Sequence, residues 1–166
     1  MPHGILMPNL MVLAAAALIP LIVGFVWYNP KVFGDAPNPA DEAASGGTPL
    51  IFIAAYVLSF FAAFLLQFAV IHQFHFYSIL ACEPGINDKG TDINTMYINF
   101  MSTYGYNFRT FRHGAFHGLL VGIGLALPVV GLKALFDHKS FYYIAINAGY
   151  WILCLVLMGG IICKFS

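Results

Sequence analysis

The sequence predicts an all-α membrane protein of four transmembrane helices, with a short amphipathic interface helix in the long second loop. Three observations carry that prediction. Of 166 residues, 60% are hydrophobic and only 8% charged, whereas soluble domains carry roughly a quarter charged residues. Four apolar stretches, about 10–28, 50–72, 114–135 and 141–163, are each long enough to cross a bilayer as one helix. None of the four contains Asp or Glu. A domain this small leaves much of its surface exposed, so so large an apolar excess must face lipid. The whole chain, 1–166, reads as a single four-helix domain.

Asn9 is placed as the N-cap of a first helix that runs to Tyr28. Met1 to Ala17 lacks a positive n-region and the apolar run continues past its alanines, which predicts a retained span and no cleaved signal peptide. Pro20 lies inside this span, where neighbouring helices can satisfy the freed carbonyl. The span closes on Trp27-Tyr28-Asn29-Pro30. These aromatics suit the headgroup level, and the residue before a proline is pushed out of helical geometry. Lys31 to Thr48, with Asp35, Asp41 and Glu42, reads as an exposed loop. Thr48-Pro49 then signals a second helix, N-cap followed by proline, running to about Ile71 or on through His75.

The interval from Gln73 to Arg112 is the longest polar one, with turns at Glu83-Pro84-Gly85 and Asn87-Asp88. Within it, Ile93, Met96, Tyr97, Phe100, Met101 and Tyr104 repeat at helical spacing, predicting an amphipathic helix at about 92–104. It lies in the membrane interface or packs as a lid on the bundle; having no Lys or Arg on its polar face, it is not drawn to anionic lipid.

The third span is the stretch around which the others are expected to pack. Gly114, Gly118, Gly122 and Ala126 recur every four residues, the small-residue spacing that lets helices meet backbone to backbone in lipid. Pro128 predicts a kink. A tight connection from Phe136 to Ser140 makes the third and fourth helices antiparallel neighbours, and Ser140 caps the fourth. Ala145 and Gly149 supply the small face expected to receive the glycine stripe, with Ala17 and Gly24 of the first helix as second choice. Lys89, Arg109, Arg112 and Lys164 outnumber Lys31, Lys133 and Lys139 by one across the four spans, which leans both termini to the cytoplasm.

Trp27-Tyr28-Asn29-Pro30 with Phe33-Gly34, His113-Gly114 and His117-Gly118, Pro128, Ile146-Asn147-Ala148-Gly149-Tyr150-Trp151 and Met158-Gly159-Gly160 together resemble the bacterial membrane family called domain of unknown function 1761. The resemblance covers the first helix and the C-terminal half. It implies a small four-span protein of the bacterial inner membrane, and it implies no activity.

The remaining residues bound the function. Net charge is zero, so no nucleic-acid partner is expected. Cys82, Cys154 and Cys163 show no CxxC spacing. The spans carry no acid for proton coupling, and no hydrolase, metalloprotease or phosphate-loop motif is present; no catalytic residue and no enzyme are expected. Trp27, Tyr28, Tyr150 and Trp151 read as interface anchors, with Tyr150 and Trp151 able to pack deeper on the first helix. Asn147 is expected to bond His117 or a carbonyl freed by Pro128. Membrane lipids, and other membrane subunits or copies of the chain, are the expected partners, so the first reading is a structural or accessory subunit without a cofactor. The alternative is a haem or transition-metal protein. His72 and His75 leave the second helix and His113 and His117 enter the third on the same side, at spacings that place each pair on one helical face. For haem, Gly114 and Gly118 would admit the ring while Arg109 and Arg112 meet propionates.

Overall fold

The computed structural model describes residues 7–33 and 49–166. Of the expected loop from Lys31 to Thr48, the first three residues are helical, and the rest, including Asp35, Asp41, Glu42 and the Thr48 cap, lies outside the described residues. Those described form nine α-helices and one π-helical turn, with no strand. Four helical stretches are long and apolar enough to cross a membrane: Leu10–Trp27, Pro49–Val70, Phe111–Phe136 and Phe141–Phe165.

The first span is two helices, α1 (Leu10–Ala16) and α2 (Ile19–Trp27). Asn9 caps α1 as expected, its side chain accepting from the Val12 amide at 3.3 Å. The chain breaks at Ala17-Leu18 because Pro20 has no N–H to donate and its ring crowds the carbonyl four residues back. The Tyr150 hydroxyl bonds the Pro20 carbonyl at 2.8 Å, and Tyr56 bonds the Ala14 carbonyl at 3.1 Å. Beyond α2, the short α3 (Pro30–Phe33) turns Phe33 back onto Trp27, ring centroids 4.8 Å apart.

The second span is α4 (Pro49–Val70). It stops before His72, and the chain restarts as α5 (Gln73–Leu80). The second helix therefore does not continue through His75. At the break the bonding tightens to three-residue spacing, His75 N–H to the His72 carbonyl at 3.0 Å.

The amphipathic helix is α6 (Asp92–Tyr104), capped by Thr91. Its Tyr97 is buried and stacks on Phe76 of α5 at 5.6 Å, with Phe100 at 4.3 Å from the same ring. Part of its apolar face thus packs on α5, while Met96, Phe100 and Tyr104 stay exposed.

The third span joins α7 (Phe111–Val121), a π-helical turn (Gly122–Ala126) and α8 (Leu127–Phe136). At Pro128, where a kink is expected, the turn before the proline opens: the Leu127 N–H reaches back five residues to the Gly122 carbonyl. That extra residue accommodates a proline unable to donate to Gly124. The connection to the fourth span is a tight helix stop. His138 adopts φ 54°, and the His138 and Lys139 amides bond the Leu135 and Ala134 carbonyls, the paired closure that usually employs glycine.

The fourth span, α9 (Phe141–Phe165), is capped by Ser140. It is the central helix. Over half of its apolar window is buried, against about a fifth or less for the other three. The third span is therefore not the hub. The core gathers Cys154, Leu155, Met158, Ile162 and Cys163 of α9 with Leu13 and Ala16 of α1 and Ala63, Leu66 and Val70 of α4.

The glycine stripe meets α9, but not at Ala145 and Gly149. A Cβ on Gly114 would lie 2.1 Å from the Gly159 carbonyl oxygen, one on Gly118 2.1 Å from that of Leu155, and one on Gly122 3.0 Å from the Ile152 Cα. The antiparallel register sets Gly114 opposite the far end of α9. Ala145 is exposed, and Gly149 faces Trp27, 3.3 Å from a built Cβ. Ala126 is only half-buried, packed against the edge of the core. Ala17 is fully buried on the first span, and Gly24 faces Tyr150.

Gly118→Ala drives a methyl into backbone and lowers stability by about 3 kcal/mol or more. Gly124→Ala, which meets nothing within 4 Å, leaves the melting temperature within a few degrees in the same detergent. Gln67 is fully buried, and among the described residues neither its amide nitrogen nor its oxygen has a hydrogen-bond partner. Gln67→Leu removes that burden and raises stability by about 1–3 kcal/mol, read by thermal unfolding.

Candidate metal centre

The helix break after Val70 and the glycine face of α7 place three histidines together. His72 stands at the start of α5. His113 and His117 sit one turn apart near the start of α7, which Thr110 caps by accepting from the His113 amide at 3.2 Å. Each precedes a glycine buried on α9, so the imidazoles lie to one side of the seam. The His72 Nε2 lies 3.2 Å from the His117 Nε2 and 3.1 Å from the His113 Nε2. One nitrogen from each of the three rings falls within 4.8 Å of the others.

A neutral imidazole carries one N–H and one lone pair. The His72 Nε2 faces two nitrogens at once, and one proton or one lone pair serves only one well-directed bond. A shared cation satisfies all three. Loss of hydration, followed by the charges of His113 and His75, lowers the His72 pKa from its ordinary value, which favours the lone-pair form that a metal requires.

His75 is the exception among the four candidates. It is near enough to influence His72 but is exposed within α5 and is not part of the converging set. The restart of the helix at Gln73 is what separates the two: His72 is at the break and His75 inside the new helix.

Beside His72 opens a cleft of about 400 Å³, bounded by Gln73 and Phe76 of α5, by Phe100, Met101 and Tyr104 of α6, and by Asn107 and Phe108. The Gln73 amide donates to the Asn107 carbonyl at 2.9 Å and ties the rim together. Phe108 has φ 61°, a left-handed backbone that costs a bulky residue about 1–3 kcal/mol. Its ring lies 5.3 Å from that of His113. Sequence reading missed this residue, because nothing in Tyr106-Asn107-Phe108 calls for a left-handed position at the aromatic.

Other candidates have structural partners. Arg109 donates from Nε to the Cys163 carbonyl at 3.1 Å and from Nη2 to the Ser166 carbonyl. It is a clamp on the end of α9, not a free cation for an anionic group. Gly114 and Gly118 are closed by α9 backbone and admit no ring. At the other end of the bundle, Trp27 Nε1 donates to the Ile146 carbonyl at 3.2 Å and the Tyr28 hydroxyl to Asn147 Oδ1 at 2.8 Å. Asn147 in turn donates to the Tyr143 carbonyl at 2.9 Å. Asn147 therefore bonds neither His117 nor a carbonyl freed by Pro128: His117 lies beside Gly118, level with Leu155. Tyr28 and Tyr150 rings are 5.2 Å apart, and Trp151 lies 5.3 Å from Tyr150. Trp27, Tyr28 and Tyr150, three of the four residues expected as interface anchors, thus join the first span to the fourth.

A family model described as "Protein of unknown function (DUF1761)" matches residues 11–163. No curated protein and no solved structure matches the chain.

Arg109→Ala removes two hydrogen bonds from a charged donor and lowers stability by about 1.5–3 kcal/mol. Arg112→Ala, at an exposed position, changes it by less than about 0.5 kcal/mol. Parallel thermal melts of the two variants separate the clamp from a bystander.

Proposed function

The chain belongs to the DUF1761 family, whose description carries no activity, and we propose that it is a membrane protein that binds one transition-metal ion through His72, His113 and His117. The observation that carries this reading is the convergence of three Nε2 atoms at 3.1 and 3.2 Å about His72. Three nitrogens bound tetrahedrally at 2.0–2.1 Å from one ion stand about 3.3–3.4 Å apart. A three-histidine set suits zinc, copper, nickel or cobalt and leaves a fourth position for another ligand.

The geometry supports a small ion over haem. Two axial imidazoles must sandwich a macrocycle, whereas these three ring centroids are only 4.5–5.1 Å apart in tilted or edge contact. The glycines and Arg109, which a haem would use, are engaged elsewhere in the fold, and only Arg112 stays exposed.

The motif pattern points the same way. The Trp27-Tyr28 and Asn147-to-Trp151 segments are absorbed in joining two spans, and the Gly159-Gly160 segment in receiving α7 and Phe111. The paired His-Gly motif alone has side chains without such a structural role. A structural subunit of a larger assembly in a bacterial inner membrane is the second reading, favoured by the broadly exposed apolar faces of the first three spans. Lipid accounts for the same faces, so the metal reading comes first.

Purified protein reconstituted with Zn(II) or Co(II) is expected to hold one ion per chain by elemental analysis. His72→Ala, His113→Ala and His117→Ala each abolish stoichiometric binding, while His75→Ala and His138→Ala retain it. Binding undiminished in His72→Ala, or none in the native protein, rejects the site. In metal-free protein His72→Ala leaves thermal stability unchanged or higher, because it relieves facing nitrogens.

A further inference from the structure

We propose that the cleft beside His72 is the binding site for a neutral, membrane-soluble aromatic alcohol, whose ring lies among Phe76, Phe100 and Tyr104 and whose oxygen takes the open position of the metal. The inference rests on the metal reading above and names the ligand class of that site.

Four observations converge on it. The volume, about 400 Å³, falls in the range of small-molecule sites and exceeds what a bare ion needs. No Asp, Glu, Lys or Arg is among the lining residues, so the cleft suits an uncharged ligand. Its walls are aromatic, and Phe76 and Phe100 already stand 4.3 Å apart, presenting ring faces and edges to a further ring. His72 belongs to both the cleft and the converging nitrogens.

Phe108 supplies an independent sign. The residue is 70% exposed, so burial does not offset the left-handed backbone that holds it. The Phe108 carbonyl accepts from the Thr110 amide at 2.8 Å and from the Cys163 thiol at 3.5 Å. These bonds keep the strained residue at the join between cleft and His113, the kind of place where strain serves a site.

The oxygen follows from charge. Three neutral imidazoles leave a divalent ion with its full charge, and among the described residues no carboxylate joins the set. An oxyanion completes such a centre, so the ring hydroxyl releases its proton to water as its oxygen binds the ion. The aromatic body is what brings the ligand from lipid, since the cleft stands where the second span ends and the third begins.

The test uses full-length protein in nanodiscs, loaded with Co(II), whose visible spectrum reports its fourth ligand. Azide probes the open position alone, 1-naphthol probes position and cleft together, and naphthalene probes the cleft without an oxygen. Azide and 1-naphthol are expected to shift the spectrum, and naphthalene is not. Phe100→Ala and, separately, Tyr104→Leu weaken 1-naphthol by about tenfold while the azide response is unchanged. If azide shifts the spectrum and 1-naphthol does not, the cleft inference is overturned and the metal reading stands. A 1-naphthol affinity unchanged from the native protein in both variants also overturns it. Failure of Co(II) to bind stoichiometrically overturns the metal reading, and this inference with it.

Discussion

The contact of α7 with α9 along Gly114, Gly118 and Gly122 is the constraint from which the rest of the arrangement follows. In lipid no hydrophobic force pulls helices together, so close van der Waals contact has to hold them. Here the approach is so close that a single methyl on Gly114 or Gly118 would fall within 2.1 Å of a carbonyl oxygen of α9. Such a seam tolerates one rotation of α7 about its axis. With the glycines turned to α9, the residues immediately before them, His113 and His117, point to one side, where the end of α4 delivers His72.

The departures from regular helix have separable causes. Pro20 divides the first span, and Tyr150 supplies a hydrogen bond to its carbonyl. The π-helical turn before Pro128 absorbs a missing donor without ending the span. The stop at Val70 has no proline or glycine behind it; tertiary contacts set it, with Ile71 fully buried and the Val70 carbonyl accepting from the Cys163 thiol at 3.3 Å. That last break separates the histidines, leaving His72 at the join and His75 inside the new helix.

The two ends of the bundle are chemically different. At one end, Trp27 and Tyr28 donate to the Ile146 carbonyl and the Asn147 side chain, and Asn147 donates in turn to the Tyr143 carbonyl. Such a satisfied network specifies how the first span meets the fourth. At the other end, Arg109 is held by the end of α9, but the three imidazoles turn their nitrogens toward one another. Converging titratable groups beside a strained, aromatic-lined cleft are where chemistry is sought.

The class of the protein was legible in the sequence, because length and apolarity decide whether a helix can cross a bilayer, and both are properties of consecutive residues. The four spans, the Asn9 and Ser140 caps and the face of the 92–104 helix are local in the same sense: spacing along the chain is spacing around the helix. The histidines were legible as candidates for that reason, and so was the packing role of the glycines. Which partners they met was not. Antiparallel register brought Gly118 to Leu155 instead of the stripe to Ala145 and Gly149, made the fourth span central, and joined Trp27 to the Ile146 carbonyl and Tyr28 to Asn147. The break at Ile71-His72, the exclusion of His75, the capture of Arg109 by α9 and the left-handed Phe108 likewise arise from contacts between residues 30 to 120 positions apart. No short-range pattern encodes such contacts, since each is selected only once the backbones have approached and the buried groups compete for the same partners.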